Sequence, residues 1–334
     1  LDHPTSTECL AHALVPALTA ACGGRLSAVQ WFKSPWQRGG ASTGIGTFVD
    51  DQGRPASVVV KVPVGFSEYK WTSDLAAAAA GWNVPSPVPR VLAGGLELGG
   101  YDLAWMVLEK LGPHLPITSA SPADAAAVAR AGECASAALR AVATFHLLAE
   151  RVRPVEGVTE IDHAAWERAV AGSREAVRRG TLPDGPHWAT ALKAVSRALP
   201  NLFARWAVRA GNAWCHGDVH PGNVLLRHGE GTPQCVLIDL ALMRPGHWLE
   251  DAMYFERVFW GREHCLGNIN PLKVLSAMRR ELGLPCTGDY GALANVKRVL
   301  NAAAAPGLFL REGNPLYLKH ALHLIDKLLP SVAH

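Results

Sequence analysis

Strand-like patterning dominates the first third of the chain and helical patterning most of the rest. Thr43 to Val49 and Ala56 to Val62 are short apolar runs with β-branched members, joined by Asp50-Asp51-Gln52-Gly53, and they read as a hairpin. Ala104 to Leu108 is a further apolar strand, ending at Glu109, Lys110, Leu111 and a glycine. Between these lie a helix over Tyr69 to Ala80 and the rigid connector Pro85-Ser86-Pro87-Val88-Pro89. Leu10 to Cys22 is apolar and alanine-rich, contains Pro16, lacks a basic leader and follows Thr5-Ser6-Thr7-Glu8. It is read as a first helix rather than a signal sequence. Beyond Gly112 the spacing turns helical. Ser121-Pro122-Ala123-Asp124 reads as a helix start with Ser121 as its cap, and Leu139, Val142 and Phe145 recur at helical spacing. Asn314-Pro315 opens a last helix with Leu318, Ala321, Leu322, Ile325 and Leu328 on one face, which Pro330 should stop.

One stretch inside the helical part breaks the pattern. Asn223 to Arg227 and Gln234 to Ile238 are short apolar runs flanking the Gly/Pro turn cluster His228 to Pro233. Folded into a hairpin, they would bring Asn223 at the start close to Asp239 at the end. Just upstream lies Cys215-His216-Gly217-Asp218-Val219-His220. An acid that can accept a hydroxyl proton, then an amide, then a second carboxylate is what phosphoryl transfer requires: one group to orient the nucleophile, two oxygen ligands for Mg²⁺. Two other readings fit parts of the stretch. His-Gly-Asp could be an ordinary turn with Asp239 as a cap. His216, Asp218 and His220 could hold zinc, but no third His or Cys follows at a familiar spacing.

Lys61 interrupts the apolar run Pro55 to Pro63. An ammonium on a central strand is costly unless it meets an anion, whereas on an edge strand it could snorkel to water. Arg38 to Gly46 is rich in glycine, and Gly40, Ser42 and Thr43 form the candidate phosphate loop, with backbone amides and hydroxyls as donors.

His216 to Asn223 together with Ile238-Asp239 resembles the catalytic and metal loops of the aminoglycoside phosphotransferase and choline kinase group, small-molecule relatives of protein kinases. The resemblance implies an α+β, bilobal, protein-kinase-like fold. Its N-terminal nucleotide-binding lobe, an antiparallel sheet with a helix, would span 1–108, its hinge 109–112, and its mostly helical catalytic and substrate-binding lobe 113–334. It further implies an ATP- and Mg²⁺-dependent transfer to a hydroxyl of a small molecule. Asp218 would be the catalytic base or hydroxyl-orienting group, Asn223 and Asp239 the metal ligands, and Lys61 the clamp on the α- and β-phosphates. Glu68 would pair with Lys61, with Asp74 as fallback, and backbone groups from Glu109 to Leu111 would meet the adenine. His216 and His220 would brace the loop, and Asp251 would anchor the metal loop to the next helix. A nucleotide-binding pseudokinase with a scaffolding role is the rival reading. Such proteins lose the base, a metal ligand or the lysine, and this chain keeps all of them.

Composition narrows the partners. A chain of 334 residues, 49% apolar and 18% charged, suffices for two lobes with ample core. A net charge of +3 without a Lys/Arg run argues against a nucleic-acid or membrane surface. Seven cysteines, an odd number without a C-x-x-C spacing, suit the thiols of a reducing cytoplasm. Cys215 abuts the loop, but a nucleophile role for it is disfavoured. Between His247 and Tyr290, Glu250, Asp251, Glu256, Glu263, Glu281 and Asp289 are nearly balanced by Arg257, Arg262, Lys273, Arg279 and Arg280. That balance predicts a neutral or singly charged acceptor rather than a polycation. Trp248 and Trp260 could stack on a sugar or pack inside.

Overall fold

A computed structural model of the chain describes residues 6–32, 41–82, 84–117, 121–156, 162–180, 182–207, 212–228, 233–286, 289–312 and 314–333. It opens with two short helices, α1 (Ser6–Ala13) and α2 (Val15–Ala21), where the sequence suggested one. Pro16 explains the break. Its missing N–H is harmless in the first turn of α2 but would interrupt a continuous helix. Strands β1 (Leu26–Phe32), β2 (Ser42–Val49) and β3 (Pro55–Val64) follow, then α3 (Phe66–Gly81), β4 (Val91–Leu98) and β5 (Tyr101–Glu109). The strands form one antiparallel sheet in the order β1-β2-β3-β5-β4, so β3 is central.

Period-two alternation on β3 gives the sheet two different faces. Val58, Val60 and Val62 are fully buried against Leu14, Leu18, Cys22, Phe48 and Val107. Val59 lies on the opposite face with a smaller apolar cluster of Val64, Ala104, Met106 and Leu108. Lys61 belongs to that second face.

The chain next forms α4 (Ala125–Val152), α5 (His163–Arg178), α6 (Gly185–Ala207) and β6 (Asn212–Cys215). Strands β7 (Val224–Arg227) and β8 (Gln234–Leu237) then pair as a hairpin, and β9 (Arg244–His247) pairs antiparallel with β6. Helices α7 (Leu249–Val258), α8 (Pro271–Glu281), α9 (Tyr290–Glu312) and α10 (Pro315–Val332) complete it. Two compact units result. One holds Leu1–His114 with Asn223–Met243, and the other Leu115–Gly222 with Arg244–His334. The first is thus a five-stranded antiparallel sheet with helices and the β7–β8 hairpin, and the second is mainly helical.

Two helix ends differ from the sequence reading. The cap of α4 is Asp124, whose carboxylate accepts from Ala127 N at 2.9 Å, and not Ser121. A carboxylate there also meets the positive end of the helix dipole, which a serine does not. Helix α10 runs through Pro330 to Val332. That proline removes one hydrogen bond in the last turn only, too small a loss to end the helix earlier. Among the described residues no helix is long and apolar enough to cross a membrane.

Candidate active site

The candidate residues divide between the two units. In the first unit, Lys61 stands on β3 between Thr43 of β2 and Met106 of β5. Its ammonium pairs with the Glu68 carboxylate, which is 6% exposed. Glu68 sits in the first turn of α3, where the helix dipole favours negative charge, and its backbone carbonyl accepts from the Thr72 hydroxyl at 2.7 Å. The register of the helix therefore makes Glu68, and not Asp74, the partner. Each half of such a pair keeps the other from being a lone buried charge.

The glycine-rich stretch divides differently from the sequence reading. Gly40 lies outside the described residues. Gly44 and Gly46 answer to packing: a Cβ on Gly44 would stand 2.9 Å from the Trp31 ring, and one on Gly46 would stand 3.1 Å from Leu26. Of the two hydroxyl residues, Thr43 lies opposite Lys61 and shares its face, whereas Ser42 lies opposite Val62 on the other.

Glu109 ends β5 as a structural anchor. Arg227 Nε donates to its Oε1 at 2.9 Å, and Arg90 donates through its backbone N–H at 2.9 Å and through Nε at 2.8 Å. Burial alone would raise its pKa, but the hydrogen bonds from Arg227 and Arg90 outweigh that and hold it below the ordinary value. The same Arg227 fork donates to the carbonyls of Ser86 and Val88, fixing the proline-rich connector. The Glu109 amide is spent on the Arg90 carbonyl and the Gly112 amide on the Leu226 carbonyl. Leu111, between them, makes no hydrogen bond to a described residue.

The β7–β8 hairpin pairs Val224 with Leu237, and Ile238 N–H donates to the Asn223 carbonyl at 3.0 Å. Residues 229–232 of its predicted turn lie outside the described residues. Asn223 is 7% exposed, whereas Asp239 is exposed and has left-handed backbone (φ 65, ψ 71). A non-glycine residue there carries a conformational cost that packing around it must support, and such strain clusters at functional positions. Among the described residues no donor or cation engages its carboxylate. An amide oxygen and an unspent carboxylate on adjoining hairpin ends form a hard-oxygen donor pair, which fits Mg²⁺.

In the second unit the loop after β6 is held from behind. Asp251, 1% exposed on α7, accepts from His216 N and Gly217 N, each at 2.9 Å, and from His146 Nε2 at 3.0 Å. Arg279 donates to His146 Nδ1 at 3.0 Å, which fixes the tautomer with its hydrogen on Nε2. Burial, helped by the Arg279 charge, lowers the His146 pKa and keeps the ring neutral. For Asp251, burial pushes the carboxyl up, but the His146 hydrogen bond and nearby charges bring it below the ordinary value. The resemblance makes Asp251 an anchor of the metal loop, whereas the amides it holds belong to the Asp218 loop.

Both loop histidines accept backbone hydrogens: Asp218 N donates to His216 Nδ1 at 3.3 Å and Gly222 N to His220 Nδ1 at 3.0 Å. The close approach of the His220 ring leaves no room for a Cβ on residue 222, which would stand 2.8 Å from it. Among the described residues no three His, Cys, Asp or Glu side chains are grouped to hold a metal, which removes the zinc reading. The Cys215 thiol donates to the His247 carbonyl at 3.3 Å, and burial raises its pKa well above normal, so it is no nucleophile. Trp248 and Trp260 are core residues, 1% and 2% exposed.

Asp218 itself is partly buried. Its Oδ1 accepts from the Tyr254 hydroxyl and its Oδ2 lies 3.6 Å from His220 Nε2. Burial would raise its pKa, yet His220 and Tyr254 pull it down to about 2. The group is therefore ionised throughout the physiological range, an acceptor for a hydroxyl hydrogen but a weak base. Tyr254, His146 and Arg279 were not singled out from the sequence. Only Tyr254 carried a signal, its spacing of three from Asp251 on a helix.

Both the sequence and the fold resemble those of known proteins. The model of the phosphotransferase enzyme family APH matches residues 48–267. A candidate aminoglycoside phosphotransferase from Ralstonia eutropha JMP134 superposes with a TM-score of 0.56 at 15% identity, covering 93% of this chain and 95% of that one. A microcompartment-associated aminopropanol kinase gives 0.54 at 14% identity, covering 92% and 94%, and a glucosamine kinase 0.52 at 17%, covering 98% and 99%. At these identities the likeness shows the fold, which is kinase-like. No curated protein matches the sequence significantly. The family match spans well over half of the chain, and so the protein belongs to the APH phosphotransferase enzyme family, as a small-molecule kinase that uses a nucleotide phosphate donor.

Proposed function

We propose that the protein moves the γ-phosphoryl group of ATP to a hydroxyl of a small molecule, with Mg²⁺ as the cofactor, in the cytoplasm. The observation that carries this reading is the Asn223–Asp239 pair, a buried amide and an exposed carboxylate on strained backbone at adjoining hairpin ends. Mg²⁺ keeps several waters and takes phosphate oxygens, so two protein ligands suffice, and when bound it offsets charge on the β- and γ-phosphates.

The remaining roles follow from chemistry. Lys61, steadied by Glu68, offers its ammonium to the α- and β-phosphates, Thr43 offers its hydroxyl on the same face, and Gly40 and Ser42 complete the candidate phosphate loop. The apolar cluster of Met106 and Leu108 on the Lys61 face suits a flat purine, with the Leu111 backbone as its polar contact. Asp218 accepts the hydrogen bond of the acceptor hydroxyl and aims its oxygen. Being a weak base, it takes the proton late, as a loose transition state permits. A scaffolding pseudokinase has no observation in its favour.

The acceptor we propose is neutral or singly charged: a sugar, an amino alcohol, an antibiotic or a similar hydroxyl compound. Of the carboxylates between His247 and Tyr290 that could gather a polycation, two are neutralised by cations and a third meets a histidine. Glu250 is held by Arg244 at 2.7 Å and Lys297 at 3.2 Å, Glu256 by two bonds of 2.7 Å from Arg298, and Glu263 by His320 at 2.8 Å. Titration calorimetry with a non-hydrolysable ATP analogue tests the carrying observation. Binding should strengthen with Mg²⁺ in the wild type and lose that dependence in Asp239→Ala; equal Mg²⁺ dependence in both would remove the metal role of Asp239.

A further inference from the structure

We infer that Tyr254 is a positioning residue for phosphoryl transfer: its hydroxyl fixes the Asp218 carboxylate in the orientation that meets the acceptor. The inference rests on the role proposed above for Asp218. Two residues of α7, Asp251 and Tyr254, stand three apart and so share a helical face. Both act on the same loop, Asp251 on the amides of His216 and Gly217, Tyr254 on the Asp218 carboxylate itself. An aspartate otherwise turns about its side-chain torsions, and the Asp218 side chain is 22% exposed.

The hydrogen bond also sorts the two oxygens. Tyr254 engages Oδ1, whereas His220 Nε2 is 3.6 Å from Oδ2, beyond a true hydrogen bond. A carboxylate has about four lone-pair sites, so a tyrosine bond to one oxygen is compatible with a hydroxyl on the other. The phenol ring is steadied in turn by the Arg257 guanidinium, 4.8 Å above its centroid. Packing and the cation contact need only the ring; the hydroxyl is what reaches Asp218. Phenylalanine therefore separates the two functions.

The test is a double-mutant cycle of Tyr254→Phe and Asp218→Asn in the full chain. Two probes are used: the acceptor turned over fastest among aminoglycosides, macrolides, sugars, choline and hydroxy amino acids, and water, read as acceptor-independent ATP hydrolysis. Tyr254→Phe should lower kcat about tenfold, less than the ~10²-fold of a full 1 Å misplacement, with KM for ATP unchanged. Its Tm should move by under about 2 °C, because the ring stays in place. In the Asp218→Asn background the tyrosine change should cost less than about twofold, since the group it acts through is gone. An unchanged or raised kcat in Tyr254→Phe overturns the inference, as does a loss of equal size in both backgrounds or one that follows Tm. Wild-type turnover by Asp218→Asn alone would instead overturn the role on which the inference rests.

Discussion

Replacing Asp251 by asparagine should destabilise the protein by about 3–5 kcal/mol at neutral pH, through donors that the new side chain cannot satisfy. Oδ2 of Asp251 takes hydrogens from His216 N and His146 Nε2, and Oδ1 takes one from Gly217 N. In its better orientation asparagine keeps the first two bonds but turns an NH₂ toward the Gly217 amide. One orphaned buried donor costs ~1–3 kcal/mol, and the two surviving bonds each lose ~1 kcal/mol when the acceptor is no longer charged. The pH dependence has a definite sign. The folded pKa of Asp251 is depressed, so its contribution is complete above the unfolded carboxylate value of about 4 and is lost as pH falls through the folded value. The gap between wild type and variant should therefore be full at pH 7 and narrow in acid below about pH 4. Urea titrations followed by tryptophan fluorescence, compared at constant m, measure it. A loss below about 1 kcal/mol at neutral pH, or a gap that widens in acid, would refute the bonding assigned to Asp251.

Lys61→Ala should lower kcat/KM for ATP on the order of 10²-fold, as loss of a single charge-stabilising donor does, with Glu68→Ala milder. Greater damage from Asp74→Ala than from Glu68→Ala in the same assay would contradict the ion pair. Kanamycin should be a poor acceptor, and KM for the true acceptor should change little between roughly 20 and 150 mM salt. Efficient kanamycin phosphorylation with a KM that rises steeply over that range would show carboxylates free to gather a polycation.

What the sequence disclosed followed range of interaction. The alternation around Lys61 and the two apolar runs beside Asn223 and Asp239 are local signals, and they located the central strand and the hairpin. The order of those elements that carry such local signals was legible for the same reason. Contacts between distant segments were not: His146 and Asp251 are 105 positions apart, Arg279 and His146 133, and Arg227 and Glu109 118. Nothing near any of these residues announces its partner. The reading of Glu109 accordingly concerns its backbone alone, and the commitment of its side chain to Arg90 and Arg227 has no local signal. Glycines mislead in another way. Gly44 and Gly46 mark the approach of β1 side chains as well as any phosphate would, and only the packed strands distinguish the two causes. Ser121 and Asp124 were both capping residues by type, and the choice between them depended on where the helix could begin.

The most direct test of a small-molecule kinase is acceptor-dependent consumption of ATP with Mg²⁺ present. A coupled assay over aminoglycosides, macrolides, sugars, choline and hydroxy amino acids should show turnover with at least one small neutral or singly charged acceptor. Chelation of Mg²⁺ should abolish it, and Asp218→Asn should reduce it about 10²–10⁴-fold while nucleotide binding persists. Turnover that survives chelation, or that Asp218→Asn leaves at the wild-type rate, would contradict the mechanism.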